Sequence, residues 1–419
     1  MQDKNHVFMN KEDNIERLIK KFEEMLKTKE NYFFDIEDFL DIVDHYIILG
    51  EFNMAEKAIN FGLDQYPQNV DLLLFKTELF SFNNQLDKAF DLLNELKKIE
   101  PQRVETLLLE AELYSRKKEY KKAIKSLQKA SRFEEADKVE IYEMMLVQYM
   151  YLENYRLALE VSLKTLKLNP ESSTALYNAI TCFDVLNKTD MAIDFLKEHI
   201  EKQPFSEVAW SLLAKKYIDK AQYQQAINAL EYAIAIDDKF LGAYYDKAFA
   251  YTQLKKYDKA LECYFLTLKI ADPIAFTYYH IAKNYQLLND LEKAVHFYFK
   301  AVDEDPGYYK SWIKLILIKI EQNQLDDALS IALRALEVIN NQELLQLLGK
   351  IYLLKNNPSK AINAYEMSMK MGNPDLSLIL QLADLYKQQG DLDNFRTLLL
   401  KAKKIFPDSD EIKKRMLDK

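Results

Sequence analysis

The chain has 419 residues, a net charge of −9 and an apolar share of 49%, which is enough for a continuous core. Seven glycines and nine prolines are too few for a β-rich or turn-rich fold. The negative charge argues against nucleic acid as the main partner, because phosphate contacts need a basic surface.

The first residues, 1–13, are polar, so we predict a flexible N-terminus without a secretory signal. Asp13 is placed to cap a helix that begins near Asn14, where apolar residues recur at three- and four-residue steps. Residues 14–35 are therefore predicted to form an N-terminal capping helix region. The most apolar stretch of the chain is far too short to span a membrane, which favours a cytoplasmic protein.

Residues 36–407 repeat a pattern of two helices. In the stretch 275–306, apolar residues recur at helical spacing on both sides of a break at 288–290, and Pro306 ends the second helix. Aromatic residues recur at the eleventh position of the repeats, with Lys319 as the exception. An alanine recurs at the twentieth position, where the second helix must approach the first, at steps of 33 to 35 residues. These residues are Ala55, Ala89, Ala123, Ala158, Ala192, Ala226, Ala260, Ala294, Ala328 and Ala361, followed by Phe395.

A few positions depart from the regular pattern. The third repeat has one extra residue near Phe133–Lys138, and the step around Asn340–Asn341 is one residue short. These joints either bend the array locally or are tolerated changes of length. Pro374 closes its repeat one position late. The end of the chain, residues 408–419, is predicted to be a C-terminal capping helix or tail, with Arg415 facing water.

The two cysteines, Cys182 and Cys263, lie inside helical patterns. Two isolated thiols have neither the number for a disulfide framework nor the spacing of metal ligands. We therefore expect buried structural thiols, without a metal or a cofactor.

The repeated pattern resembles the tetratricopeptide repeat, whose residues have fixed spacing. The resemblance covers about residues 36–407 in eleven repeats. It implies an all-α, right-handed superhelical solenoid of antiparallel helix hairpins, whose first helices line a concave wall. The best matches are Trp210, Leu213, Ala214, Tyr217, Ala226, Leu230 and Ala233 in one repeat, and Leu345, Leu348, Gly349, Tyr352, Ala361 and Tyr365 in another.

The residues expected on the concave wall change in character along the chain. They are acidic and apolar at the start, aromatic in the middle and more basic toward the end. Charge complementarity and exposed aromatic rings predict a groove for a segment of another protein, with a basic amphipathic segment in the acidic half. The alternative is that acidic residues on a solvated face keep the chain soluble. The candidate partner-binding residues are Asp41, Asp44, Glu78, Glu112, Tyr177, Asn178, Tyr245, Phe249, Phe276, Tyr279, His280, Lys283 and Lys314.

Motifs of common enzyme classes do not occur in the sequence. There is no phosphate loop, dinucleotide fingerprint or nucleophile elbow, and no histidine lies in a zinc motif. We therefore predict a non-catalytic scaffold or adaptor. Two alternatives stay open: a structural protein that associates with itself through terminal repeats or the convex face, and an RNA- or ribosome-associated helical-repeat factor.

Some tetratricopeptide modules bind the C-terminal carboxylate of chaperones with lysine, asparagine and arginine side chains. The first three repeats carry acids at the corresponding positions and do not support such a clamp. Later repeats carry lysines there, at Lys283, Lys310, Lys314 and Lys350, but lack the asparagines.

Overall fold

The computed structural model describes residues 2–28, 32–372 and 375–417. Within these ranges the chain forms 24 helices and no strand, so the predicted all-α class is confirmed. The helices belong to two compact units, Met1–Gln203 (the N-terminal unit) and Pro204–Lys419 (the C-terminal unit). A single continuous solenoid over residues 36–407 stays a prediction.

The N-terminal unit contains the long helix α1 and five helix hairpins. The second helix of a hairpin has 14 residues, except α7, which has 11 and ends at Ala130. The extra residue predicted near Phe133–Lys138 therefore falls around the connection to α8. The helices are α1 Gln2–Thr28, α2 Ile36–Ile48, α3 Phe52–Gln65, α4 Val70–Phe82, α5 Leu86–Ile99, α6 Val104–Arg116, α7 Tyr120–Ala130, α8 Lys138–Tyr151, α9 Tyr155–Leu168, α10 Ser173–Val185 and α11 Thr189–Lys202.

The C-terminal unit contains six hairpins and a short final helix. Each hairpin joins a first helix of 13 residues to a second helix of 14. The helices are α12 Glu207–Asp219, α13 Tyr223–Ile236, α14 Leu241–Gln253, α15 Tyr257–Ile270, α16 Ala275–Leu287, α17 Leu291–Glu304, α18 Tyr309–Glu321, α19 Leu325–Val338, α20 Gln342–Leu354, α21 Pro358–Met371, α22 Leu376–Gln388, α23 Leu392–Ile405 and α24 Asp410–Leu417.

All hairpins turn through the same backbone geometry. In the first, the amide of Gly50 donates to the carbonyl of Ile47 at 3.0 Å, and the amide of Glu51 donates to that of Tyr46 at 2.8 Å. This is a Schellman helix end, which needs one residue in the left-handed conformation. That residue stands at the fifteenth position of each repeat, with φ between 54° and 75°. The eleven residues are Gly50, Asn84, Lys118, Glu153, Asn187, Ala221, Lys255, Asn289, Asn323, Asn356 and Gly390.

The recurring alanines lie in the buried core of the hairpins. All ten are 0% exposed. Ala294, for example, lies in a buried cluster with Ala282 of the preceding helix and with Tyr298. The repeat register predicted from the alanine spacing is therefore confirmed. Cys182 and Cys263 are also buried, as predicted, and burial raises the pKa of each thiol to about 11.

Helix α1 begins earlier than the sequence predicted. It starts at Gln2 rather than near Asn14, so Asp13 lies inside the helix and does not cap it. The physical reason is that this stretch contains no proline or glycine that would stop a helix. Farther along α1, Phe22 is fully buried and packs edge-on against Phe61 of α3, with ring centroids 6.2 Å apart. The flexibility of residues 1–13 stays a prediction.

The predicted tail contains α24, which packs on the last hairpin. Ile412 is fully buried. Arg415, predicted to face water, instead donates two hydrogen bonds to the carboxylate of Asp384, each 2.9 Å long. This prediction was wrong because a guanidinium can bind a carboxylate of the neighbouring helix through two parallel donors. Pro374 and parts of the predicted terminal regions (residues 1, 29–31 and 418–419) lie outside the described residues.

Candidate functional site

Four of the predicted site residues lie near one another on first helices of the N-terminal unit. Asp41 and Asp44 belong to α2, Glu78 to α4 and Glu112 to α6. Partial burial raises the pKa of Glu78, and repulsion from Glu112 and then Asp44 raises it further. The pKa of Asp44 is raised by partial burial and then by Asp41. Carboxylates of three successive hairpins are therefore close enough to repel one another.

Glu78 and Glu112 line a cleft of about 220 Å³ with an aromatic wall, and Asp44 lies close enough to interact with Glu78. Phe52 and Phe82 pack together in it, with ring centroids 4.4 Å apart, and Phe82 is 57% exposed. An exposed ring beside carboxylates offers an apolar contact and a negative charge to the same ligand. We call this cleft the N-terminal groove. Its lining residues are Ile47, Phe52, Phe75, Glu78, Leu79, Phe82, Glu112 and Arg116.

Most of the negative charge in and around the groove is not neutralised. Glu112 accepts a hydrogen bond of 2.8 Å from Nε of Arg116. In the part of the chain that the structure describes, the other three carboxylates, Asp41, Asp44 and Glu78, form no ion pair. The groove therefore keeps a local excess of negative charge beside its exposed aromatic wall.

Tyr177 and Asn178 lie elsewhere in the N-terminal unit, on α10. Tyr177 is 41% exposed. The side-chain amide of Asn178 donates to the backbone carbonyl of Thr174 at 2.8 Å. Because α10 belongs to the fifth hairpin and the groove is built from the first three, these two predicted residues are not part of the groove.

In the C-terminal unit, the predicted aromatic residues gather around His280. The ring of Phe276 lies 4.3 Å from His280 and 5.5 Å from Tyr245. Tyr264 of α15 stacks on His280 at 5.6 Å, and Tyr279 packs edge-on against it at 5.2 Å. Phe276 is 40% exposed, whereas Tyr264 is buried. The cluster therefore presents one exposed ring supported by several covered ones.

Positive charge lies beside this aromatic cluster. Burial lowers the pKa of His280 to about 4, and repulsion from Lys283 and then Lys310 contributes to the same shift. The imidazole is therefore neutral at neutral pH, next to two ammonium groups. Lys314 lies one turn beyond Lys310 on α18. The remaining predicted residue, Phe249, is 39% exposed on α14.

The predicted site did not include the residues that second helices contribute. Phe52 opens α3 and lines the N-terminal groove, and Tyr264 of α15 stacks on His280. Phe52 had a detectable signal, because an aromatic residue opens the second helix in five repeats, at Phe52, Tyr120, Tyr155, Tyr223 and Tyr257. Tyr264 had none, because its position in the repeat is typical of the core.

The ranges 2–28, 32–372 and 375–417 contain no helix with the length and apolar character that a membrane crossing requires. The same ranges contain no group of three or more histidine, cysteine, aspartate or glutamate residues placed to hold a metal ion.

Models of one family match four stretches of the chain. One tetratricopeptide-repeat model matches residues 217–273. A second one matches residues 104–137, 277–308 and 376–409. No curated protein gives a significant match.

Several solved structures are similar to parts of the chain. MamA is 24% identical, with a TM-score of 0.36 over 40% of this chain and 92% of MamA. PilF of Pseudomonas aeruginosa is 18% identical, with a TM-score of 0.39 over 51% of this chain and 97% of PilF. YrrB, described as a tetratricopeptide-repeat protein with an unusual peptide-binding site, is 18% identical, with a TM-score of 0.35 over 44% of this chain and 94% of YrrB. The matched family models and the tandem helix hairpins show that this chain contains tetratricopeptide repeats.

Proposed function

We propose that this chain is a protein-interaction scaffold or adaptor whose N-terminal groove binds a basic amphipathic segment of a partner protein. The observation that carries the proposal is the unneutralised charge of Glu78 beside the exposed ring of Phe82, with the unpaired Asp44 and Asp41 close to it. Lysine or arginine side chains of the segment would neutralise the carboxylates. An apolar side chain of the same segment would cover the ring. The tetratricopeptide-repeat family is generally a non-catalytic interaction fold, which supports this class of function.

The energetics of the carboxylates also favour a basic ligand. Partial burial and then repulsion raise the pKa of Glu78 and of Asp44, so their ionised forms destabilise the free chain. A cation bound between them relieves that repulsion. Charges of this kind speed the encounter and set the orientation of a partner, while a buried aromatic contact supplies most of the affinity.

An RNA ligand is disfavoured at this groove, because nucleic-acid phosphates would meet the same repulsion as the carboxylates themselves. The cytoplasmic location and the self-associating alternative stay predictions of the sequence.

The proposal is tested with a synthetic amphipathic peptide of lysine and leucine, blocked at both termini. Calorimetric titration measures its affinity for the full chain and for the variant Asp41→Asn/Asp44→Asn/Glu78→Gln. Partly exposed charge pairs contribute about 0.2–1 kcal/mol each, so we expect the three changes together to weaken binding about tenfold. The difference should shrink as salt is added, because salt screens exposed charges.

The matched control removes three exposed carboxylates from second helices of the same unit, as Asp64→Asn/Asp91→Asn/Glu95→Gln. This variant has the same net charge as the test variant, and we expect it to bind the peptide as the unmodified chain does. Equal weakening by the two variants would show non-specific attraction and contradict the proposal. So would unchanged binding by the test variant.

A further inference from the structure

Four lysines on first helices of the C-terminal unit have no acidic partner among the residues that the structure describes. Within the described part of the chain, Lys283 on α16, Lys310 and Lys314 on α18 and Lys350 on α20 form no ion pair. We call these four residues the lysine row.

Some other lysines on first helices of this unit are paired. Lys247 of α14 binds Glu231 at 3.1 Å, and Lys319 of α18 lies 3.7 Å from Asp327. Both carboxylates belong to second helices. The lysine row therefore differs from Lys247 and Lys319, because its charges lack a carboxylate partner on a second helix among the described residues.

The lysine row lies beside an apolar surface. Lys283 and Lys310 are close enough to His280 to disfavour its protonation. His280 packs against the ring of Phe276, which is 40% exposed. A ligand that reaches the first two lysines can therefore also place an apolar side chain on Phe276.

The spacing of the lysine row indicates how long the ligand is. The helices α16, α18 and α20 are the first helices of three successive hairpins, and packed helices lie about 8–10 Å apart. The row therefore covers roughly 20 Å, which an extended peptide spans with about six residues at 3.3–3.6 Å each. One terminal carboxylate reaches only part of this distance, whereas several side-chain carboxylates match it.

We propose that the lysine row and Phe276 bind an extended acidic segment of a partner protein, in which several glutamate or aspartate side chains alternate with an apolar residue. The proposal does not depend on the N-terminal groove, because it rests on different residues and on a ligand of opposite charge. A peptide is favoured over RNA because the row contains only lysines, which lack the planar guanidinium that stacks on bases, and because the whole chain carries a net charge of −9.

The test uses a ten-residue peptide of glutamate and leucine, blocked at both termini, and calorimetric titration of the full chain. We expect Lys283→Gln/Lys310→Gln/Lys314→Gln to weaken binding at least tenfold. These lysines form no ion pair within the described residues, so their replacement leaves no buried acid unpaired. The matched control is Lys269→Gln/Lys370→Gln/Lys401→Gln, which removes three exposed lysines of second helices in the same unit and should change the affinity less than twofold.

Further arms of the experiment separate the possible ligands. A peptide with glutamine in place of glutamate should not bind, and one with glutamine and a free C-terminal carboxylate should bind at least tenfold more weakly. The proposal would be overturned if the chain bound either of these peptides, or a single-stranded RNA of similar length, as tightly as it binds the acidic peptide. It would also be overturned if the two triple lysine variants bound the acidic peptide with equal affinity. The variant Asp41→Asn/Asp44→Asn/Glu78→Gln should bind the acidic peptide normally, so failure of one site is distinguishable from failure of the other.

A spectroscopic readout reports on the site itself. Carboxylates bound to the lysine row should favour the protonated imidazole of His280, so its NMR titration should move to higher pH when the acidic peptide is present. An unchanged titration of His280 in the peptide complex would contradict binding at this place.

Discussion

Single residues at the hairpin turns differ in how well they suit the left-handed conformation. Seven of the eleven turn residues are glycine or asparagine, which adopt this conformation most readily. Ala221 is neither glycine nor asparagine, yet its φ is 56°. The amides of Ala221 and Gln222 make the same helix-ending hydrogen bonds as in other hairpins, both 2.8 Å long. Its side chain is exposed, so the conformation is imposed by the turn and not by packing.

We predict that Ala221→Gly stabilises the chain by about 0.5–1 kcal/mol, because glycine removes the steric cost of the positive φ. The measurement is the free energy of unfolding in denaturant. The control is the same substitution at Ala235, an exposed residue inside α13, where glycine should destabilise by about 0.5–1 kcal/mol. If the two substitutions changed the free energy of unfolding in the same direction, the assignment of Ala221 to the left-handed turn would be contradicted.

Glu78 gives a prediction about pH. Its pKa in the folded chain is raised above the ordinary value of 4.5, so the ionised carboxylate destabilises the folded state at neutral pH. Below 4.5 both states are protonated and the effect disappears. We therefore expect Glu78→Gln to raise the free energy of unfolding at pH 7 by no more than about 0.5 kcal/mol, and to have no effect near pH 4. The melting temperature should rise accordingly at pH 7 and stay unchanged near pH 4. The exposed Glu95 serves as the control, and a lower melting temperature for Glu78→Gln at pH 7 would refute the argument.

At the scale of elements, α20 and α21 approach each other through a glycine. A Cβ atom added to Gly349 would clash with the ring of Tyr365, which is 2% exposed. The small residue at this position of the repeat therefore serves helix–helix packing. The tyrosine fills the space that a larger residue would occupy in another hairpin.

We predict that Gly349→Ala destabilises the chain by about 1–3 kcal/mol, because overpacking outweighs the better helix propensity of alanine. Gly242 of α14 provides the control, since an added Cβ would have its nearest neighbour at 3.9 Å, in ordinary contact. There the same substitution should be neutral or stabilising by up to about 1 kcal/mol. Thermal unfolding measures both, and a stabilising Gly349→Ala would mean that the two helices can separate at little cost.

The helices themselves were largely predictable, because each hairpin repeats the same periodicity, the same small residue and the same turn. The exceptions are places where one of these signals is absent. No capping residue marks the start of α1, and only the lack of proline and glycine in this stretch indicates that the helix extends so far. Helix α7 ends early without a proline. The contact between Arg415 and Asp384 joins residues whose sequence neighbours are ordinary surface residues, so only the packing of α24 reveals it.

At the scale of the whole molecule, the candidate surfaces follow from the repeat positions only in part. Counting positions selected residues of the first helices and predicted the change from acidic to basic side chains. It could not show which charges are neutralised, because that depends on carboxylates of neighbouring helices. Lys247 and Lys283 both lie on first helices, yet only Lys247 has an acidic partner among the described residues.

The tandem hairpins also have a consequence for how the chain is made. The hydrogen bonds that join successive hairpins link residues about one repeat apart in the sequence, such as Arg103 and Asp71 at 32 residues or Ser172 and Glu143 at 29. Contacts that are this local favour fast folding. A ribosome adds roughly 34 residues in about 2–7 s, which is long compared with the formation of a helix hairpin. We therefore expect each hairpin of the N-terminal unit to dock on its predecessor during synthesis, before the residues that form the lysine row have been translated.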